Sequence, residues 1–176
     1  FNTDKGTLNK VNVSYRPSGK NQNYYFTSSE GYRRGGVNAV PTEGPLAEDA
    51  GWVPFESDTV KNIEFGVKGA LADGTYYNLS YFMVDWDNPQ LNTSTPVNGY
   101  YAVVNGDTAQ INGFDVELSG SAGAIDWNVG YSNKNARLSS DFYTPADTPV
   151  LYARSGAKLP GSPDHTFNLN LAHTSY

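Results

Sequence analysis

The chain has 176 residues, 12 basic and 18 acidic side chains, a net charge of −6 and no cysteine. That length suits one domain or a piece of a larger one. The missing thiols exclude disulfides and thiolate metal sites, and the acidic balance argues against nucleic acid as the main partner. Charged residues are only 17% of the chain, yet 14% are aromatic, 13 of them tyrosine. Disordered chains are poor in aromatics, so the sequence reads as folded.

Taken in order, the chain alternates apolar and polar residues with period two. Val11, Val13 and Tyr15 open the series. A noisier aromatic run follows over 24–32. Ile63, Phe65 and Val67 alternate with Asn62, Glu64, Gly66 and Lys68, and a second aromatic run covers 76–86. Phe114, Val116 and Leu118 alternate with Asp115 and Glu117. Ile125, Trp127, Val129 and Tyr131 alternate with Asp126 and Asn128, and Phe167, Leu169 and Leu171 close the series. This predicts seven strands and no amphipathic helix. The Ala-Glu-Asp-Ala stretch at 47–50 lies between Pro45 and Gly51 and predicts one turn at most.

The connectors alternate in length. Residues 17–21, 70–74 and 121–124 are short, and the second carries an Asp73-Gly74 hairpin signal. Residues 33–57, 87–109 and 133–163 are long, and 100–104 predicts an extended piece inside the second of these. A soluble sandwich has no reason to gather all its long loops at one end. A transmembrane β-barrel does, with short periplasmic turns and long extracellular loops. Tyr15, Tyr24, Tyr77 and Trp127 fall near the short turns, and Tyr32, Trp86 and Tyr131 near the long loops, as two interfacial girdles would. The fold expected is all-β: an antiparallel transmembrane β-barrel segment of about seven strands. Asn62, Glu64, Lys68, Asp115, Glu117, Asp126 and Asn128 are then the candidates to face a wet lumen. The competing reading is a soluble antiparallel sandwich.

Four segments resemble TonB-dependent outer-membrane receptors. YFTSSEGYRRGGVN at 25–38 resembles the family's strand-then-loop segment, with Arg34 where the family often has proline. PFESDTVKNIEFGVKGALADGTYYNLSYFMVDWDNPQ at 54–90 resembles its next hairpin. INGFDVELSG at 111–120 and KLPGSPDHTFNLNLAHT at 158–174 resemble two later strands, in the family's order. The resemblance implies residence in the bacterial outer membrane, among lipid and lipopolysaccharide. It also implies TonB-driven uptake of a scarce nutrient, most often a ferric siderophore or other iron complex. A plug domain of the same parent chain and the TonB complex would be partners. No plug, TonB-contacting segment, signal peptide or closing strand is visible, so residues 1–176 read as an internal part of the barrel domain. A passive porin-like barrel and a soluble carbohydrate-binding sandwich are the alternatives.

The chemistry-bearing residues predict no catalytic site, no metal site and no cofactor. His165 and His173 are the only histidines and lack a matched carboxylate spacing. Asp115, Glu117 and Asp126 share a face, which could suit glycoside chemistry but reads more simply as lumen lining. In the long loops Trp52, Tyr100, Tyr101, Phe142 and Tyr143, with Arg33 and Arg34, are candidate ligand contacts. Aromatic rings beside guanidinium groups suit an anionic, partly apolar ligand.

Overall fold

A computed structural model describes residues 6–95 and 97–174. In chain order the strands are β1 (Lys10–Tyr15), β2 (Gln22–Arg33), β3 (Gly36–Val37), β4 (Pro54–Phe55), β5 (Asp58–Ala70), β6 (Tyr76–Asp87) and β7 (Gln90–Ser94). They continue as β8 (Tyr101–Asn105), β9 (Thr108–Ala122), β10 (Ile125–Leu138), β11 (Phe142–Tyr143), β12 (Leu151–Ala153) and β13 (His165–His173). The long strands form one antiparallel sheet in the order β1-β2-β5-β6-β9-β10-β13. These are the seven strands the alternation predicts. The other strands pair within the long loops as β3-β4, β7-β8 and β11-β12. The single helical turn is a 3-10 turn at Ala50–Trp52, slightly later than the 47–50 expected. It starts there because the Asp49 carboxylate accepts the Gly51 N–H at 2.7 Å.

Residues opposite one another across a ladder share a face, so the register sorts the side chains. One row runs Tyr15, Tyr24, Val67, Leu79, Val116, Tyr131, Phe167 across all seven strands. The rows on either side add Val13, Phe26, Phe65, Tyr81, Phe114 and then Tyr77, Leu118, Val129, Leu169. This face is apolar and uncovered: Val13 is 57% exposed, Phe65 50% and Leu171 66%. No second sheet or helix packs on it among the described residues, which removes the soluble sandwich. The opposite face carries Asn12, Thr27, Glu64, Lys68, Asn78, Asp115, Glu117, Asn128 and Asn168.

The register also fixes the lean of the strands. The last pair of the first hairpin, Tyr15 with Tyr24, lies in the row just given. The last pair of the second, Ala70 with Tyr76, lies three residues below it, and that of the third, Ala122 with Ile125, lies six below. Three residues are about 10 Å of strand and two strand spacings about 10 Å of sheet, a lean of roughly 45° from the line of turns. The apolar stretch steps down with the turns. It covers Tyr77 to Met83 on β6 but Ile125 to Tyr131 on β10. Glu30, Lys61, Asp85 and Gln110, opposite one another in one row, bound it on the long-loop side of β2, β5, β6 and β9.

Glycine and aromatic side chains are matched inside the strands. The Trp127 ring lies over Gly120, where a Cβ would come within 2.9 Å of it, and the Tyr25 ring occupies the space a Cβ on Gly66 would need. At the second short turn Gly74 takes φ +87°, and the Asp73 carboxylate accepts the Thr75 N–H at 2.9 Å. This is the hairpin signal read from the sequence.

The buried core lies at the long-loop end. Val40 and Trp52 come from the first long loop, Ala102 and Val104 from the second, Phe142 and Leu159 from the third, and Ala109, Ala136 and Leu138 from strand ends. Here the polar face of the sheet turns apolar. Val60, Trp86, Ala109 and Leu138 form one row, and Val84, Ile111 and Ala136 the next. The loops therefore fold in over the polar-face side. Trp86 points to that side, so it does not belong to the girdle the sequence suggested. Its indole N–H donates to the Asp58 carboxylate at 2.9 Å, a partner lipid could not offer. Tyr15, Tyr24, Tyr77 and Trp127 do sit on the apolar face near the short turns.

Candidate functional site

Two regions carry polar chemistry: the middle of the polar face and the loop assembly. Strand alternation brings all seven lumen candidates to the polar face. Asn62 lies between Ser29 and Val84, Glu64 between Thr27 and Phe82, and Lys68 between Asn23 and Asn78. Asp115 lies between Ser80 and Ser132, and Glu117 between Asn78 and Gly130. The Tyr25 hydroxyl donates to Glu64 at 2.7 Å, and the Lys68 ammonium sits 5.8 Å from the Tyr25 ring centre. Gly66 lies between Glu64 and Lys68 on β5, and its bare α-carbon is what lets the ring lie flat there. Lys68 thus meets an aromatic ring on the polar face. Asn128 donates to Glu117 at 3.0 Å, and Ser121 to Asp126 at 2.6 Å. A polar hollow of about 440 Å³ opens between Tyr25, Glu64, Asp115, Glu117, Thr166 and Asn168.

Glu64, Glu117 and Asp126 are spread along a wall and tied to hydroxyls and an amide. Among the described residues no three histidine, aspartate or glutamate side chains gather where they could hold a metal ion. His165 stacks on Tyr131, whose hydroxyl lies 2.9 Å from its Nδ1. That pair lies on the apolar face, away from the carboxylates.

In the loops, the sequence-picked contacts divide. Trp52 is 2% exposed and Phe142 5%, both inside the loop core. They pack the loops and present no ring to a ligand, which corrects the expectation for these two. Arg33 is tied to Asp58. Its Nε donates to both carboxylate oxygens at 3.1 Å, and its Nη2 pairs with Oδ2. Its guanidinium also lies 5.2 Å from the Trp86 ring centre. The charge of Arg33 is thereby compensated on the spot. Tyr100 is half-buried against the core, while Arg34, Tyr101 and Tyr143 remain exposed.

Three residues that the sequence did not mark as site residues organise this end. Asp58, its side chain 2% exposed, accepts from Arg33, from the Trp86 indole and from the Gln90 N–H at 3.1 Å. Asn38 donates to the carbonyls of Trp52 (2.8 Å) and Val103 (2.7 Å) and accepts the Val103 N–H (2.8 Å). Glu48 accepts from the Thr95 hydroxyl at 2.7 Å and from the Asn98 backbone and side chain at 3.0 and 2.9 Å. The Thr95 hydroxyl, and after it the Asn98 donors, hold the Glu48 carboxyl below the usual glutamate range against the opposing effect of desolvation. No spacing rule marks these residues, because their partners lie far away in the chain.

A family model described as TonB dependent receptor-like, beta-barrel, matches residues 1–176. A search of curated proteins gave no match. Among solved structures, the chain is similar to the ferric yersiniabactin uptake receptor FyuA from Yersinia pestis, with a TM-score of 0.65 and 20% identity. That match covers 94% of this chain and 22% of the receptor. It is also similar to the FrpB iron transporter (F3-3 variant) from Neisseria meningitidis, with a TM-score of 0.54 and 15% identity over 82% of this chain and 21% of that one. The chain thus spans about a fifth of the length of either protein.

Proposed function

Because the chain belongs to the TonB-dependent receptor-like β-barrel family, we propose that it forms part of the wall of a receptor that imports an iron chelate under TonB drive. Family members are bacterial outer-membrane proteins and transport receptors rather than enzymes. The observation that carries the reading is the two-sided sheet. Its apolar face has no packing partner among the described residues and slants with the turns, which suits lipid around leaning strands. Its polar face, with Glu64, Lys68, Asp115, Glu117, Asp126 and Asn128, would line a hydrated path past a plug domain. The loop assembly would meet the ligand first, and lipopolysaccharide would surround the rim. The functions of the two structural relatives, ferric yersiniabactin uptake and iron transport, support iron as the cargo.

The test is radiolabelled ferric-chelate uptake by cells carrying the complete parent gene, with and without TonB. Uptake that needs both the gene and TonB is expected. Gene-dependent uptake that survives loss of TonB would overturn the reading in favour of a passive pore.

A further inference from the structure

We infer that the three long loops, 34–57, 88–107 and 139–164, form one cooperative body that opens only as a whole. They are not three independent lids. A lid that moves alone needs few buried contacts and few hydrogen bonds to its neighbours. Each of these loops fails that condition. Each inserts two residues into the same buried cluster: Val40 and Trp52, Ala102 and Val104, Phe142 and Leu159. Lifting one loop exposes the apolar groups of the other two.

The polar ties have the same plan. The first and second loops are joined through Asn38 to Val103 and through Glu48 to Thr95 and Asn98. They are joined again at their base, where the Glu56 N–H donates to the Asn105 side chain at 2.7 Å and the Asn105 amide donates back to the Glu56 carbonyl at 3.0 Å. The second and third are joined by Thr93 donating to the Tyr152 hydroxyl at 2.8 Å. The first and third are joined by the Asp147 N–H on Asp49 at 3.1 Å. They touch again at Gly51, which packs so closely on the Pro145 carbonyl that no side chain fits between them. Asp58 then anchors the foot of the assembly to β5.

Arg34, Tyr101 and Tyr143 are consequently displayed on a preformed surface. A ligand meeting them orders no loop, so that entropic cost of binding is absent. Any closure over bound ligand would come from other parts of the barrel or from this body moving as one.

Hydrogen exchange on the full-length receptor in detergent tests this without knowledge of the ligand. Asn38→Ala removes a tie within the first loop and the ties to Val103 of the second, and touches none of the polar ties to the third. The expected result is faster exchange, by about tenfold, at protected amides of all three loops together, including Leu159, whose N–H donates to the Ala136 carbonyl of β10. Acceleration confined to 34–57 and 88–107 would overturn the inference. Gly51→Ala makes the reciprocal test at the contact between the first and third loops, and it serves alone if Asn38→Ala fails to insert. There the second loop, at Val103 and Thr95, must respond, and silence at those amides would overturn the inference equally.

Discussion

At the scale of single residues the decisive groups are buried acceptors. Asp58 satisfies a guanidinium, an indole and two backbone N–H groups at once. Asp58→Ala leaves all four donor groups without it and removes the ion pair. A cost of about 2–4 kcal/mol is expected, below the full value for a buried pair because Arg33 is half exposed. Urea unfolding of the refolded receptor measures it. Glu48 gives a pH dependence. Its folded pKa is depressed, so its contribution is present above the unfolded value of about 4.3 and is lost as pH falls through the folded value. Loop amides should therefore lose protection under acid conditions below that point. Glu48→Gln should flatten that dependence while lowering protection at neutral pH.

At the scale of strands, the sequence carried most of what mattered. Period-two runs located seven strands because each has a dry side and a wet side. The Asp73-Gly74 signal located a turn because a left-handed residue is required there. The strand ends were less legible: β10 runs on to Leu138 because its ladder with β9 continues as far as Ala109 and loop residues cover its other edge, as where the Leu138 N–H donates to the Ala157 carbonyl. The loop contacts were illegible for a related reason. Trp52 and Tyr101 are both aromatics in Gly/Pro-rich stretches, yet one is buried and the other 70% exposed. Only long-range packing tells them apart. Alternation itself makes a sharp prediction. Leu79→Arg, on the apolar face, should cost about 2–4 kcal/mol near mid-membrane, whereas Ser80→Arg, one residue on and facing the polar side, should cost far less. Folding yield into vesicles, measured side by side, checks the contrast. Gly66→Val should also destabilise, by about 1–3 kcal/mol, through the Tyr25 ring, and Tyr25→Ala should relieve part of that cost. The same urea titration on the two single variants and the double variant reports it.

At the scale of the whole molecule, the core and the apolar surface have changed places. A soluble sheet protein keeps its apolar side chains under the sheet and its loops at the rim. Here the sheet's apolar face has no packing partner among the described residues, and the packed interior sits among the loops. In the intact receptor, a fluorophore on a cysteine replacing Phe65 or Leu169 should be quenched by brominated lipid, while one replacing Asn128 should be quenched by aqueous iodide. Aqueous quenching at the first two positions would contradict the lipid-facing assignment.

This inversion sets where the sequence is free to vary. Lipid is a fluid solvent with no shape to match, so positions such as Val13, Leu79 and Leu171 carry about one bit of instruction each: apolar, of any size. Ala102 and Ala136 are small, fully enclosed and surrounded by three loops, and there volume itself is specified. A saturation library of the receptor, sorted for folded barrels, should therefore accept wide apolar exchange across the strands and almost none in the loops' interior. That would reverse the usual rule in which loops tolerate change and strands resist it.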